Sequence, residues 1–210
     1  MINILLIDDH EIVRDGLKRI INTSPQMKVT AEAQNGNIAM QHISSSTFDM
    51  IILDISMPGE NGIEVLKKIK SYNSKTPVLM LSMHDEEQYA IRSFRAGASG
   101  YLTKDIASSK LVEAIRTIND GRKYISPEVA EILASSLDKN IDRELHELLS
   151  DREYEIMIEI ASGYSITNIA NRLNLSDKTI STYRARLLKK MNMKNNAELT
   201  HYAISKKLTT

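Results

Sequence analysis

The chain has 210 residues, of which 42% are apolar and 26% charged, with 27 Lys/Arg balanced by 27 Asp/Glu and no cysteine. That length suits one to two domains of ordinary globular composition, and the absence of cysteine excludes disulfides and thiolate metal centres and agrees with a cytoplasmic setting. No apolar stretch approaches the ~18 residues of a membrane span, and the N-terminus lacks the basic segment, apolar core and cleavage site of a signal peptide.

Ile4-Leu5-Leu6-Ile7 is a short apolar run that leads directly into Asp8-Asp9, the pattern of a strand buried on both faces. Val13, Leu17, Ile20 and Ile21 then recur at helical spacing. Lys28 to Ala33 predicts a second strand, and Asn35-Gly36 opens a helix carrying Ile38 and Ile43. Met50-Ile51-Ile52-Leu53 is a third buried strand ending in Asp54, and Pro58-Gly59 forces the loop after it. Ile63, Leu66 and Ile69 line a helix that ends near Ser71 to Lys75. Val78-Leu79-Met80-Leu81 ends in Ser82, and a helix is predicted from Asp85 to Ala96. The small-residue turn Ala96 to Gly100 leads to a strand around Gly100-Tyr101-Leu102, then to Thr103-Lys104 and a helix from Ile106 to Asn119. Five strands alternating with five helices predict an α/β fold with a doubly wound, five-stranded parallel sheet.

In such sheets the ligand site lies at the carboxyl ends of the strands. If the strands ending in Asp8-Asp9 and Asp54 are parallel neighbours, three carboxylates converge there. Like charges that close raise one another's pKa unless a cation joins them, and hard oxygen ligands with room for water suit Mg²⁺. The plainer alternative has Asp8 and Asp9 capping the next helix, Asp54 closing a turn and Lys104 solvated in a loop. It requires two separate buried strands to end in acid by coincidence. At the same rim a hydroxyl from Ser82 and an ammonium from Lys104 are suited to phosphoryl oxygens.

From Gly121 to Leu149 the pattern loosens: Pro127 starts a short helical segment, Glu128 to Leu137, and Asp138 to Glu144 is polar and charged. This predicts a partly helical linker. Residues 150–210 carry ten Lys/Arg against six Asp/Glu, a basic terminal domain inside a neutral chain, which points to a polyanion. Four short helices are predicted there. Ser150-Asp151-Arg152-Glu153 is a capping box, followed by inward Ile156, Ile160 and Ala161 and a stop at Gly163. Ile166 to Leu173, the Asn174-Leu175 turn and a helix capped by Ser176 make a helix-turn-helix. That third helix, Asp177 to Met191, places Ile180, Leu187 and Met191 on one side. Lys178, Thr182, Ala185 and Lys189, flanked by Ser181 and Arg186, lie on the other, a stripe suited to base edges and phosphates in the major groove.

Asp8-Asp9, Asp54, Ser82, Tyr101 and Lys104 resemble, in order, the receiver domain of two-component response regulators. The resemblance implies that Asp54 accepts a phosphoryl group from a sensor histidine kinase, with Mg²⁺ held by Asp9, Asp54 and the Ser56 backbone carbonyl and, through water, by Asp8. It implies that Ser82 and Lys104 hold the phosphoryl oxygens and that Ser82 and Tyr101 form the switch. Ser56 and His84 stand where receivers tune hydrolysis of the phosphoryl group. Leu149 to Glu153, Ile169-Ala170, Leu175-Ser176, Thr179-Ile180 and Leu187 to Met191 resemble the LuxR-type DNA-binding domain. The two together are the NarL/FixJ class, with Met1 to Glu11, Ser56 to Gly59 and Glu198 to His201 most like its GacA/UvrY branch. DNA contacts are then expected from Lys178, Thr179, Ser181, Thr182, Arg184, Ala185, Arg186, Lys189 and Lys190, with Lys194 also available. Ser181 and Ala185 stand where some members place base-contacting lysines. The last helix, Ala197 to Lys206, resembles a dimerisation segment, in which Ala197 and Tyr202 are the candidate contacts of a phosphorylation-favoured homodimer.

The expected organisation is a receiver at 1–121, a linker at 122–147 and a DNA-binding domain at 148–210, in a chain that binds promoter DNA, has no membrane partner and is not a turnover enzyme. Two rivals remain. An aspartate-nucleophile phosphatase of the haloacid dehalogenase type wants an acid two residues after Asp54, where this chain has Ser56. A phosphorylation-dependent adaptor would use the basic tail to bind an acidic protein instead of DNA.

Overall fold

The computed structural model describes residues 1–83, 87–127, 129–131, 134 and 144–209. His84, the first residues of the helix expected from Asp85, most of the Glu128 to Leu137 segment and the Asp138 to Arg143 run lie outside the described residues. The chain forms two compact units, Met1–Ile132 and Leu133–Thr210. Among the described residues no helix is long and apolar enough to cross a membrane.

In the first unit, β1 (Ile2–Ile7), α1 (Glu11–Asn22), β2 (Met27–Ala33), α2 (Gly36–Ser45), β3 (Met50–Asp54), α3 (Gly62–Tyr72), β4 (Val78–Ser82), α4 (Glu87–Arg95), β5 (Gly100–Thr103) and α5 (Lys104–Asn119) alternate along the chain. The strands form one parallel sheet in the order β2-β1-β3-β4-β5. The chain moves outward from β1 to β2, then crosses to the other side of β1 at β3. The order reverses there, so the loops after β1 and β3 part and leave a crevice at their carboxyl ends.

Register decides what meets in that crevice. Ile7 lies beside Leu53, which brings Asp8 and Asp54 to adjacent strand ends. Asp54 pairs with Leu81, and Ser82 with Thr103, so Ser82 and Lys104 reach the same rim from β4 and from just beyond β5. The apolar strands are held from below: Ile4, Leu6, Met50, Ile52, Leu79 and Leu81 pack against Leu17 and Ile21 of α1 and Leu111, Ile115 and Ile118 of α5. Each such side chain contributes roughly 1.5–3 kcal/mol over its exposed state, which fixes the rim on a stiff base. Helices α2, α3 and α4 pack against one another and cover the sheet elsewhere.

The second unit has a 3₁₀ turn (Leu145–Leu148), α6 (Asp151–Ala161), α7 (Ile166–Leu173), α8 (Asp177–Lys190) and α9 (Asn196–Ser205). Each α-helix starts at the oxygen-bearing residue that local chemistry favours. Ser150 and Glu153 form a reciprocal capping box, and Ser165, Ser176 and Asn195 accept from the backbone amides of Asn168, Thr179 and Glu198. Asn174, in the left-handed conformation at φ 50°, ends α7 and makes the tight turn into α8. Ile169, Ala170, Ile180, Leu187, Met191, Leu199 and Ala203 are buried.

Two boundaries differ from expectation in ways that matter. Helix α5 begins at Lys104 itself, with Thr103 as its extended N-cap residue, rather than at Ile106. The 3₁₀ turn at Leu145–Leu148 straddles the expected border between the linker and the DNA-binding domain at 147/148.

Candidate functional site

Asp8 and Asp54 are fully buried at the crevice. Lys104, in the first turn of α5, reaches back so that its Nζ lies 2.7 Å from Asp8 Oδ2 and 2.9 Å from Asp54 Oδ2. Asp8 Oδ1 accepts the His10 backbone N–H at 2.8 Å, and Arg14 Nη1 donates to the Asp8 carbonyl at 2.8 Å. One ligand atom from each of Asp8, Asp9, His10 and Asp54 can be chosen so that the four lie within 4.8 Å of one another. Ser82 is buried at the end of β4, Tyr101 is buried on β5, and Ser56 is partly exposed in the loop two residues past Asp54.

Burial is the largest influence on Asp54 and raises its pKa from 3.8 to about 6, with Asp8 and Asp9 pushing the same way and Lys104 opposing. Burial works against the charge of Lys104 too, but Asp54 and Asp8 outweigh it and hold its pKa above the ordinary lysine value. The ammonium is therefore a permanent charge at this rim. Asp9 Oδ1 and Asp54 Oδ1 are buried without a hydrogen-bond partner. Buried carboxylate oxygens left in that state are costly unless a cation faces them. The acidic cluster thus fits a divalent ion with oxygen ligands.

On the second unit, Lys178, Ser181, Thr182, Ala185, Arg186, Lys189 and Lys190 are exposed along α8, with Thr179 and Arg184 half-buried. Among the described residues no hydrogen bond or ion pair engages the side-chain nitrogens of Lys178, Arg186 or Lys189. Arg184 and Lys190 are otherwise engaged: Arg184 Nε donates to Asn196 Oδ1 at 2.6 Å, tying α8 to α9, and Lys190 Nζ lies 2.6 Å from Glu153 Oε2, tying α8 to the capping box of α6. Thr167 Oγ1 donates to Asp177 Oδ2 at 2.7 Å, which joins α7 to the start of α8. A surface hollow lined by Met193, Asn195, Ala197, Glu198, His201, Tyr202 and Ser205 places Ala197 and Tyr202 on one face. The Tyr202 hydroxyl also lies 3.0 Å from His146 Nδ1, inside the same unit.

The Lys190–Glu153 contact carries a prediction. Burial raises the Glu153 pKa, but hydrogen bonds from Lys190 and from the Ser150 backbone and hydroxyl outweigh it and hold the carboxyl below its ordinary 4.5. The stability it contributes is present above about pH 4.5 and is lost as pH falls through the depressed folded value. Glu153→Gln is expected to destabilise the second unit by about 1–2 kcal/mol at neutral pH and to flatten that acid limb. Denaturant melts of both proteins across the acid range measure it; parallel acid limbs would contradict the pairing.

The sequence alone does not mark His10 and Arg14 as neighbours of this pocket. Their only signal is position: an imidazole directly after paired acids, and a guanidinium one helical turn further on.

Residues 4–116 match the family described as response regulator receiver domain, and residues 147–203 the family described as bacterial regulatory proteins, luxR family. The chain is 38% identical over 205 residues to the response regulator UvrY of Escherichia coli strain K12, covering 97% of this chain and 94% of UvrY. It is 32% identical over 205 residues to the response regulator GacA of Pseudomonas syringae pv. syringae strain B728a, covering 97% and 96% of the two. The solved structure of the two-component response regulator RcsB–DNA complex is similar at a TM-score of 0.61 and 26% identity, covering 97% of this chain and 98% of that one.

Proposed function

Because the chain belongs to the response regulators that join a receiver domain to a LuxR-type DNA-binding domain, we propose that Asp54 is its phosphoacceptor and that phosphorylation there governs promoter binding. The observation that carries this is the fully buried Asp54 carboxylate, held with Lys104 and Asp8 in the crevice between β1 and β3. An oxygen of Asp54 attacks the phosphorus of a phosphohistidine on a sensor kinase. The new O–P bond forms as the N–P bond breaks, and the leaving imidazole nitrogen takes up a proton. Asp9, Asp54 and the Ser56 carbonyl, with Asp8 behind water, are the residues that would hold Mg²⁺, which supplies charge neutralisation on the transferring group. Lys104 and Ser82 meet the phosphoryl oxygens with an ammonium and a hydroxyl.

The phosphoryl group brings about −1.5 to −2 charges and three strong acceptors. Drawing Ser82 and Lys104 toward them alters the packing around Tyr101 and biases the receiver toward a second state, by no more than the difference in stabilisation between states. We assign residues 1–121 to the receiver, 122–147 to the linker and 148–210 to DNA binding. In the last, Lys178, Thr179, Ser181, Thr182, Ala185, Arg186 and Lys189 face the duplex while Arg184 and Lys190 hold α8 in place. Dimers formed through α9, around Ala197 and Tyr202, match paired half-sites about one helical turn apart. The protein works in the cytoplasm and does not turn over substrate.

The test is promoter binding by the full chain across a salt series, with and without a phosphoryl donor. Donor treatment is expected to tighten binding, and the salt slope to steepen by roughly 0.9 for each phosphate neutralised. Lys189→Gln is expected to lower that slope by about one such step, and Lys190→Gln by less. Donor-independent binding with no salt slope would overturn the proposal and favour a protein partner.

A further inference from the structure

Lys178 and Lys189 stand exposed near the two ends of the outer stripe of α8, with Thr182 and Ala185 exposed between them. The ends of the stripe are cationic, but its middle offers methyl groups. We propose that Thr182 and Ala185 recognise thymine through its C5-methyl group, so that the half-site bound by α8 carries thymine beneath them. The proposal rests on the assignment of α8 to the major groove and deepens it by naming the base feature that is read.

Three observations carry it. The Thr182 Oγ1 donates to the Lys178 carbonyl at 2.8 Å. Such a bond turns a helical threonine hydroxyl back onto its own backbone and fixes the rotamer, which leaves the γ-methyl as the group it can offer to a ligand. Ala185 has a methyl and nothing else to offer, and it lies three residues on, with its Cβ about 5–6 Å from that of Thr182 on the same face. The two make one apolar step. That step also sits on an anchored helix: Ile180, Leu187 and Met191 are buried on the opposite side, Thr167 holds Asp177 at 2.7 Å, and Arg184 holds Asn196 at 2.6 Å. Lys178 and Lys189 lie about 16 Å apart along the axis, which suits phosphates on the two walls of a groove ~12 Å wide.

The chemical consequence is selectivity. Against a base edge a methyl group gains only by apolar contact, and thymine is the base that presents an apolar group in the major groove. Cytosine at the same place lacks that methyl, and a purine would turn its N7 acceptor, stripped of water, toward carbon. A stripe that read bases through hydroxyls would depend on the Thr182 Oγ1 and ignore the thymine methyl.

The test begins with selection of duplexes from a random-sequence pool by the full chain in the presence of a phosphoryl donor, and the enriched half-site is then resynthesised with single base changes. Thymine is expected to be enriched, and its replacement by uracil, which removes only the methyl, to weaken binding by about 4-fold for each methyl lost. 5-Methylcytosine is expected to bind more tightly than cytosine at the same position. Thr182→Ser, which keeps the hydroxyl and loses the methyl, is expected to shrink the response to uracil, and Thr182→Val, which keeps a methyl and loses the hydroxyl, to preserve it. The ratio of thymine to uracil affinity is read within each variant, so any change in overall affinity cancels. Sequence-selective binding that ignores uracil, or a uracil response that Thr182→Ser leaves intact or Thr182→Val abolishes, overturns the proposal and leaves the DNA-binding reading standing. Enrichment of no sequence and no salt slope would instead sink that reading, and the thymine assignment with it.

Discussion

Asp54→Asn is expected to reduce donor-dependent phosphoryl labelling by at least about 100-fold, because an amide oxygen is a far poorer nucleophile than a carboxylate, and at the same time to raise the stability of the receiver unit in metal-free buffer. The second half follows from burial. Asp54 is fully buried and its pKa is raised from 3.8 to about 6, mainly because burial penalises the charge. The folded chain therefore binds this proton more readily than the unfolded chain. Stability from the carboxyl is fully present below about pH 3.8, falls as pH rises toward 6, and stays lost above it. The isosteric amide has no charge to bury, and Lys104 keeps Asp8 as a partner. The variant is expected to gain on the order of 1–3 kcal/mol at pH 7 and to lose the decline between pH 4 and 6. Thermal melts in chelator, run beside the labelling assay, check both. A labelled variant, or one that melts below wild type at pH 7, would contradict this account of the pocket. Lost labelling in a more stable protein cannot be blamed on misfolding.

The acids of that pocket were legible because buried parallel strands leave little room for ambiguity: an apolar run that stops in Asp8-Asp9, Asp54 or Ser82 has a rim and says where it is. Helix starts were legible where an oxygen side chain caps the backbone, as at Asn35, Ser150 and Ser176. They were not legible at α5, where Thr103 makes no side-chain cap and the strand runs straight into the helix. Apolar periodicity alone puts that start at Ile106 and misses that Lys104 belongs to the helix. The cations of α8 show a deeper limit. Composition makes Arg184, Lys189 and Lys190 equivalent, but the partners that distinguish them, Asn196 and Glu153, are 12 and 37 residues away. Only the packed helices reveal which of these charges already have a partner within the unit.

Gly62→Ala tests the other determinant of where Asp54 sits, and its expected effect is as large. Gly62 opens α3, and its N–H donates to the Ile55 carbonyl at 2.8 Å, while the buried Asn61 caps the same helix through the Ile63 N–H at 2.8 Å. The helix start is bolted to the end of β3. A Cβ at Gly62 would lie 2.0 Å from the Asp54 carbonyl oxygen and 2.7 Å from Ile55 Cα. Both obstacles are backbone, so no rotamer relieves the clash, and either α3 or the end of β3 must move. Overpacking of this kind costs about 3 kcal/mol or more, a fall in melting temperature on the order of 10 °C for a unit of this size. Moving the Asp54 main chain by about 1 Å is expected to slow phosphoryl transfer by roughly 100-fold even in molecules that remain folded. Gly16→Ala supplies the contrast. Gly16 lies within α1, and a methyl group added there would meet nothing within 4 Å, so alanine is expected to stabilise the helix by up to about 1 kcal/mol and to leave labelling unchanged. Melts and labelling of the two variants side by side separate a general intolerance of added methyl groups from a requirement at one place. If Gly62→Ala melts and labels like wild type, α3 does not set the position of the Asp54 carboxylate.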